Sequence, residues 1–315
     1  MPQTRATLTE PTIMRLWNRK PKTSAAGAGQ TGSGPVDPTE EPAAPLLEYS
    51  VHAALQSDVG CVRQTNEDCG RYTEPGDETL LATRGRLTIV ADGMGGHSAG
   101  EVASNIAVEV ISRSYYEGND NAVSALKRAF IEANKSIHDT SLTDEKLSGM
   151  GTTGTALVLK NGSAIAAHVG DSRLYLVRGG QIYLMTEDHS AVMEMVKQGL
   201  LSLEEARHHP DKNVILRALG SHPEVEVTIW TEPFPLRIGD RFLLCSDGLY
   251  DLVEDDEILR TASLEDTVDG CLRLIALAKE RGGYDNITVA IVSVRPPARG
   301  QEPSPKETRQ LEAMK

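Results

Sequence analysis

Two dipeptides, Asn161-Gly162 and Gly179-Gly180, separate short apolar runs and constrain the fold more than any other feature of the chain. Thr155 to Leu159 is followed across the first by Ala164 to Val169, and Leu174 to Val177 leads into the second. Two-residue connections leave no room for the crossover that parallel strands require, so these runs pair as antiparallel hairpins. Further runs of strand length are Leu87 to Ala91, Val225 to Trp230, Phe242 to Cys245 and Ile287 to Val294. Long helical periodicity occupies Ala99 to Tyr115, Ala122 to Ile137 and Leu264 to Lys279, and Ser98 with Glu101 forms a capping-box start for the first. Bursts of strands interrupted by a few long helices predict an α+β fold, with helices packed on largely antiparallel sheets.

The periodic region spans residues 49–295. Residues 1–48 read as a tail, because the stretch from Lys20 to Pro45 is dense in Pro, Gly, Ser, Thr and Ala and cannot bury enough apolar surface to offset the entropy of ordering. Residues 296–315 are again Pro-rich and charged, and read as a short C-terminal tail. With 45 acidic against 32 basic residues the formal charge is −13, which opposes a general affinity for nucleic acid or an anionic membrane. Cys61, Cys69, Cys245 and Cys271 form no C-x-x-C pair, which argues against a zinc site and a disulfide framework. No apolar run reaches signal-peptide or membrane-span length, so a cytoplasmic, monomeric protein is expected.

The chemistry is written in where the aspartates fall. Leu87 to Ala91 runs into Asp92-Gly93, Ile165 to Val169 into Gly170-Asp171, Phe242 to Ser246 into Asp247-Gly248, and Asp285-Asn286 immediately precedes Ile287. A single Asp-Gly is equally a simple turn. Four carboxylates at strand ends, with Asn66-Glu67-Asp68 and Arg63 nearby, form a stronger pattern. If they converge, their repulsion raises their pKa values or is relieved by cations between them. Oxygen donors without Cys or His partners favour hard ions such as Mg²⁺ or Mn²⁺ over Zn²⁺.

In order along the chain, Arg63-x-x-Asn66-Glu67-Asp68, Asp92-Gly93-Met94-Gly95-Gly96-His97, Gly151-Thr152-Thr153, Gly170-Asp171-Ser172-Arg173, Ser246-Asp247-Gly248 and Asp285-Asn286-Ile287-Thr288 together resemble the bacterial branch of the PPM family, the metal-dependent protein phosphatases of the 2C type. The resemblance implies a four-layer αββα sandwich, two antiparallel sheets face to face with helices on both outer faces. It implies hydrolysis of phosphoserine and phosphothreonine by a metal-bridging water, with two Mn²⁺ or Mg²⁺ ions and a position for a third. Asp92 would bridge two ions, the carbonyl of Gly93 would complete one of them, and Asp247 and Asp285 would hold the second. Asp171 with Asp247 matches the third position, and Glu67 and Asp68 would act through metal-bound waters. Arg63 would grip the substrate phosphate, so that Arg63, Asp92 and Asp247 carry catalysis. Phosphorylated proteins, among them a Ser/Thr kinase that the enzyme opposes, are the implied partners.

Other residues carry competing readings. His97 suggests a general acid or a local turn residue, and no general acid is assigned. His208-His209 reads as surface loop, since adjacent residues do not face each other. Asp188-His189-Ser190 reads as a helix N-cap opening a polar excursion over residues 186–212, which in relatives forms a mobile flap beside the site. Cys245 reads as a small core residue on a strand. A dedicated phosphatase of one regulatory partner is the nearest alternative. A pseudophosphatase scaffold would be marked by a lost ligand, whereas Asp92, Asp171, Asp247 and Asp285 are all present. A simple cation-binding module would leave Arg63 unexplained.

Overall fold

The computed structural model describes residues 48–95, 99–297 and 309–312. The strands are β1 (Ser50–Asp58), β2 (Asp68–Glu74), β3 (Arg86–Met94), β4 (Gly151–Thr152), β5 (Gly154–Lys160), β6 (Ser163–Val169), β7 (Arg173–Arg178) and β8 (Gln181–Leu184). They continue with β9 (Thr228–Ile229), β10 (Phe234–Pro235), β11 (Arg241–Cys245), β12 (Ile287–Arg295) and β13 (Arg309–Glu312). One sheet has the order β1-β12-β11-β7-β8, and the other β10-β6-β5-β3-β2-β13, with β4 on β3 and β9 on β6. Both expected hairpins form, β5–β6 and β7–β8. Their turns place Asn161 and Gly162 at φ 46° and 72°, and Gly179 and Gly180 at 60° and 76°, the left-handed values that two-residue hairpins demand.

The two sheets meet through β1 and β12 against β2 and β3. Helices Ala99–Tyr116 and Ala122–Ser141 cover the eight-stranded sheet, burying Ile111, Tyr115, Leu126 and Phe130. Helix Thr267–Glu280 covers β1 and β12 from the other side through Cys271, Leu274 and Ile275. The result is the four-layer αββα sandwich of the α+β class. The central strands are buried on both faces, which is why β5 and β12 are predominantly apolar rather than alternating.

Several elements depart from expectation. The run Val225 to Trp230 gives only the two-residue β9, because β9 and β10 share the edge of β6, against Ala167–His168 and Ser163–Ala164 respectively. β2 has almost no apolar run, and its place is set by pairing with β3. The C-terminal stretch read as a tail contributes β13, paired from Arg309↔Glu74 to Glu312↔Arg71 and tied by an Arg71–Glu312 ion pair of 2.9 Å. An edge strand held by backbone bonds carries no apolar signature, so composition hides it. The leader at 1–47 and the Ser98 cap lie outside the described residues, whereas the capping box of Ser202 and Glu205 is present. Among the described residues no helix is long and apolar enough to cross a membrane.

Candidate active site

β3 delivers Asp92 opposite Asp68 of β2, so two carboxyl groups from neighbouring strands begin the site. The Asp92 backbone is clamped on both sides. Its carbonyl accepts from Thr153 N (2.8 Å) and Thr152 Oγ1 (2.8 Å), and its N–H donates to Thr153 Oγ1 (2.9 Å). Thr153 Oγ1 also lies 2.7 Å from Ser172 Oγ, next to Asp171. Gly93 follows where the chain is most crowded. A Cβ there would collide with the Gly100 carbonyl and stand 2.6 Å from the Glu67 carbonyl oxygen. The bare glycine therefore lets the start of helix Ala99–Tyr116 and the Glu67 segment both lie against β3. Gly93 N (3.2 Å) and Ser104 Oγ (2.6 Å) donate to the Glu67 carbonyl and fix that approach.

The five-stranded sheet closes the site from the other side. Ser246 Oγ donates to Asp68 Oδ2 at 2.7 Å and accepts from Thr288 N at 3.0 Å, with Asp247 next in the chain. Asn286 pins the loop bearing Arg63: its Oδ1 accepts from Glu67 N (2.8 Å), and its Nδ2 donates to the carbonyls of Val59 and Thr65 (3.0 Å each). Arg63 does not project freely into the site. Its Nη2 pairs with Asp285 Oδ2 at 2.7 Å, with half of the Arg63 side chain and about a third of the Asp285 side chain exposed (50% and 32%).

Asp68 and Asp171 are 2% and 4% exposed, while Asp92 and Asp247 keep part of their surface open. Burial pushes Asp68 up to about 6 and Asp171 up to about 7, Asp188 adding to the second. Asp92 and Asp247 rise well above the usual carboxylate range, first through desolvation and then through neighbouring carboxylates, Asp68 for Asp92 and Asp171 for Asp247. Such a set of oxygen donors, mutually repelling and more numerous than the arginines beside them, fits hard divalent cations. Among the described residues, however, no three His, Cys, Asp or Glu side chains are already placed to hold one metal ion together.

Several supporting residues went unassigned in the sequence: Thr152 and Thr153 clamp Asp92, Ser246 orients Asp68, and Asn286 holds the Arg63 loop. Their signal was the motifs themselves, since Gly151-Thr152-Thr153 and Asp285-Asn286 carried no assigned chemistry beyond the aspartate. His97 lies outside the described residues. His208 and His209 follow a short surface helix, and Cys245 is fully buried on β11. Ser190 caps helix Ala191–Lys197, as expected, but Asp188 and His189 do more. Asp188 pairs with Arg173 at 2.7 Å, and His189 Nδ1 accepts from Gly170 N at 3.1 Å while its Nε2 meets Thr228 Oγ1 at 3.0 Å. The triplet thus anchors the excursion to the strand end bearing Asp171. Ion pairs Arg207–Glu254 (2.6 Å) and Lys212–Asp251 anchor its far side.

His189 packs on buried His168, ring centres 4.8 Å apart. Burial pushes His168 down to about 4 and, together with His168, pushes His189 down to about 3. Unfolded imidazoles take up protons near 6.5 whereas these stay neutral, so their contribution to stability is full above that pH and is lost as pH falls toward 4. Between pH 6.5 and 5 His168 alone should account for roughly 2 kcal/mol of lost stability. Urea unfolding of His168→Gln should show a pH dependence shallower by about that amount, and an unchanged slope would refute the neutral, buried assignment.

The sequence profile described as Protein phosphatase 2C matches residues 77–280. The serine/threonine phosphatase stp of Listeria monocytogenes is 40% identical over 251 residues, covering 77% of this chain and 95% of that protein. The crystal structure of the Mycobacterium tuberculosis serine/threonine phosphatase PstP/Ppp is similar with a TM-score of 0.69 at 38% identity, covering 78% of this chain and 99% of that one. The catalytic domain of PstP in complex with two manganese ions gives a TM-score of 0.67 at 35% identity, covering 79% and 100%.

Proposed function

We infer residue roles from one premise: this chain belongs to the protein phosphatase 2C family, and it is a metal-dependent serine/threonine protein phosphatase. The observation that carries the assignment is the gathering of Asp68, Asp92, Asp171 and Asp247 from both sheets into one electrostatically coupled, partly open cluster, with Asp285 beside it. We assign Asp92, the Gly93 carbonyl, Asp247 and Asp285 to two divalent cations, Asp171 with Asp247 to a third position, and Glu67 and Asp68 to the surrounding waters. The two manganese ions of the PstP catalytic domain support this count and favour Mn²⁺ as an effective ion. Bound there, such cations would supply positive charge for the phosphate dianion and would lower the pKa of a water so that, once deprotonated, it can act as the nucleophile.

The chain's own groups do the rest. Thr152, Thr153 and Ser246 hold Asp92 and Asp68 at fixed positions, so little reorganisation is left for the reaction. No protein nucleophile is called for: the Cys245 thiol is buried and its pKa raised by desolvation, and it stays protonated. Arg63 is proposed to leave Asp285 for the phosphate, exchanging one anionic partner for another. The substrates are phosphoproteins, and a bacterial Ser/Thr kinase as the opposing enzyme rests on the likeness to the named phosphatases.

Arg63→Ala separates the roles of substrate and metal. Loss of a charge-assisted contact on a half-exposed arginine should lower kcat/KM for a phosphothreonine peptide about tenfold, mostly through KM. Since Arg63 pairs with Asp285 in the structure, its removal should leave Mn²⁺ affinity unchanged or stronger. Collapse of Mn²⁺ binding, read by calorimetry, would show that Arg63 organises the metal site instead.

A further inference from the structure

The excursion over residues 186–212 ends on Lys212, whose ammonium donates to the carboxylate of Asp251. Neither residue belongs to the cation set assigned above, yet the backbone places Asp251 beside two members of it. Asp251 N donates to the Asp247 carbonyl at 3.0 Å and closes a helical turn, and residues four apart on a helix share a face with Cβ atoms about 5–6 Å apart. Asp171 meets Asp247 through strand register. β7 and β11 pair antiparallel as far as Arg173↔Cys245, and Asp171 and Asp247 lie two residues beyond that pair, at the same end. After burial, Asp171 and then Asp251 are the neighbours that most raise Asp247, and Asp251 also raises Asp171.

The arginines around this end are committed elsewhere. Arg173 forks onto Asp188, with Nη2 at 2.7 Å, and its guanidinium lies 3.7 Å from the centre of the Tyr250 ring. Arg207 pairs with Glu254 at 2.6 Å and donates to the Tyr250 carbonyl. Among the described residues, only Lys212 forms an ion pair with Asp171, Asp247 or Asp251. A single ammonium thus serves an end of the cluster where three carboxylates meet, and it is carried by the excursion.

We propose that Lys212 is a positioning residue of the cation site, a built-in counter-charge that engages Asp251 and competes with a divalent cation at the Asp171–Asp247 position. The proposal rests on the metal-dependent phosphatase reading and joins the excursion to it. Competition is reciprocal: the factor by which the ion pair weakens cation binding is the factor by which a bound cation weakens the pair. Filling the position therefore loosens the far side of the excursion. Both side chains keep part of their surface in water (34% and 24%), which screens the effect. Removing the ammonium should strengthen cation binding about three- to tenfold.

The test is calorimetric titration of the chelated full chain with Mn²⁺, comparing the wild type with Lys212→Met, Lys212→Arg and Asp251→Asn. Lys212→Met keeps an unbranched stem without charge, and its weakest Mn²⁺ step should tighten about three- to tenfold. Lys212→Arg should stay close to the wild type. Asp251→Asn removes a negative charge and leaves the ammonium in place, so the same step should weaken. A purely structural ion pair predicts otherwise, because losing either partner breaks one contact and both neutral variants shift in the same direction. Shifts of the same sign, or an unchanged affinity in Lys212→Met, overturn the proposal. A wild type that binds no Mn²⁺ would instead sink the metal-dependent reading itself, a result distinct from equal affinities across the set.

Discussion

Asp92→Asn should lower kcat on a phosphothreonine peptide by about 10³-fold or more, because the carboxylate proposed to serve both cations would be lost, with several kcal/mol of charge stabilisation, and each 1.36 kcal/mol is a factor of ten. The same substitution should stabilise the metal-free protein. Asp92 sits desolvated beside Asp68, Asp247, Asp171 and Asp285, and its carboxyl is held well above its usual pKa. For an acid whose folded pKa exceeds its unfolded value, the folded state binds the extra proton, so stability declines as pH rises above about 4. Asp68 and Asp171 continue that decline through about 6 and about 7. An amide at position 92 removes one charge from the cluster and relieves its neighbours. Without metal at pH 8, the Asp92→Asn variant should melt above the wild type, and with saturating Mn²⁺ the order should reverse. Activity within tenfold of the wild type, or lower thermal stability of the metal-free variant, would contradict the role given to this residue.

Gly93→Ala carries the second large effect and acts through packing. The added methyl meets the carbonyl oxygens of Gly100 and Glu67, both backbone atoms that cannot swing aside. Relief requires moving the start of helix Ala99–Tyr116 or the Glu67 segment away from β3, which breaks the Gly93 N–Glu67 O bond and displaces Ser104. Overpacking of this kind typically costs 1–3 kcal/mol, and a loss of about 3 kcal/mol is expected at so confined a position. Because the carbonyl of Gly93 and the side chain of Asp92 are neighbours, Mn²⁺ affinity should fall together with stability. Urea unfolding and metal titration check both quantities, and a variant equal to the wild type in each would mean that the approach of the helix to β3 is not tight.

The strand-end aspartates were legible in the sequence because the strands that present them are buried on both faces and therefore read as predominantly apolar runs. The hairpins were legible because left-handed turns call for Gly or Asn. β2 was not, since its sequence Asp-Cys-Gly-Arg-Tyr-Thr-Glu has no period, and its position depends on long-range pairing with β3. The same holds for β13, whose partner lies more than two hundred residues away. At the site, side chains that act on metal or phosphate announced themselves by charge. Residues that act by holding those groups, such as Thr153, Ser246 and Asn286, are small and uncharged, and their role appears only when distant strands are brought together. The pairing of Arg63 with Asp285 was likewise invisible, being a contact across 222 positions of chain.

The central claim is that phosphate removal depends on cations gathered by these carboxylates. Its most direct test is phosphate release from a phosphothreonine peptide by the full chain after exhaustive chelation, before and after Mn²⁺ or Mg²⁺ is restored. The account predicts no release above background in the chelated protein and full recovery on adding either effective ion. Release that continues undiminished in the presence of chelator would contradict it.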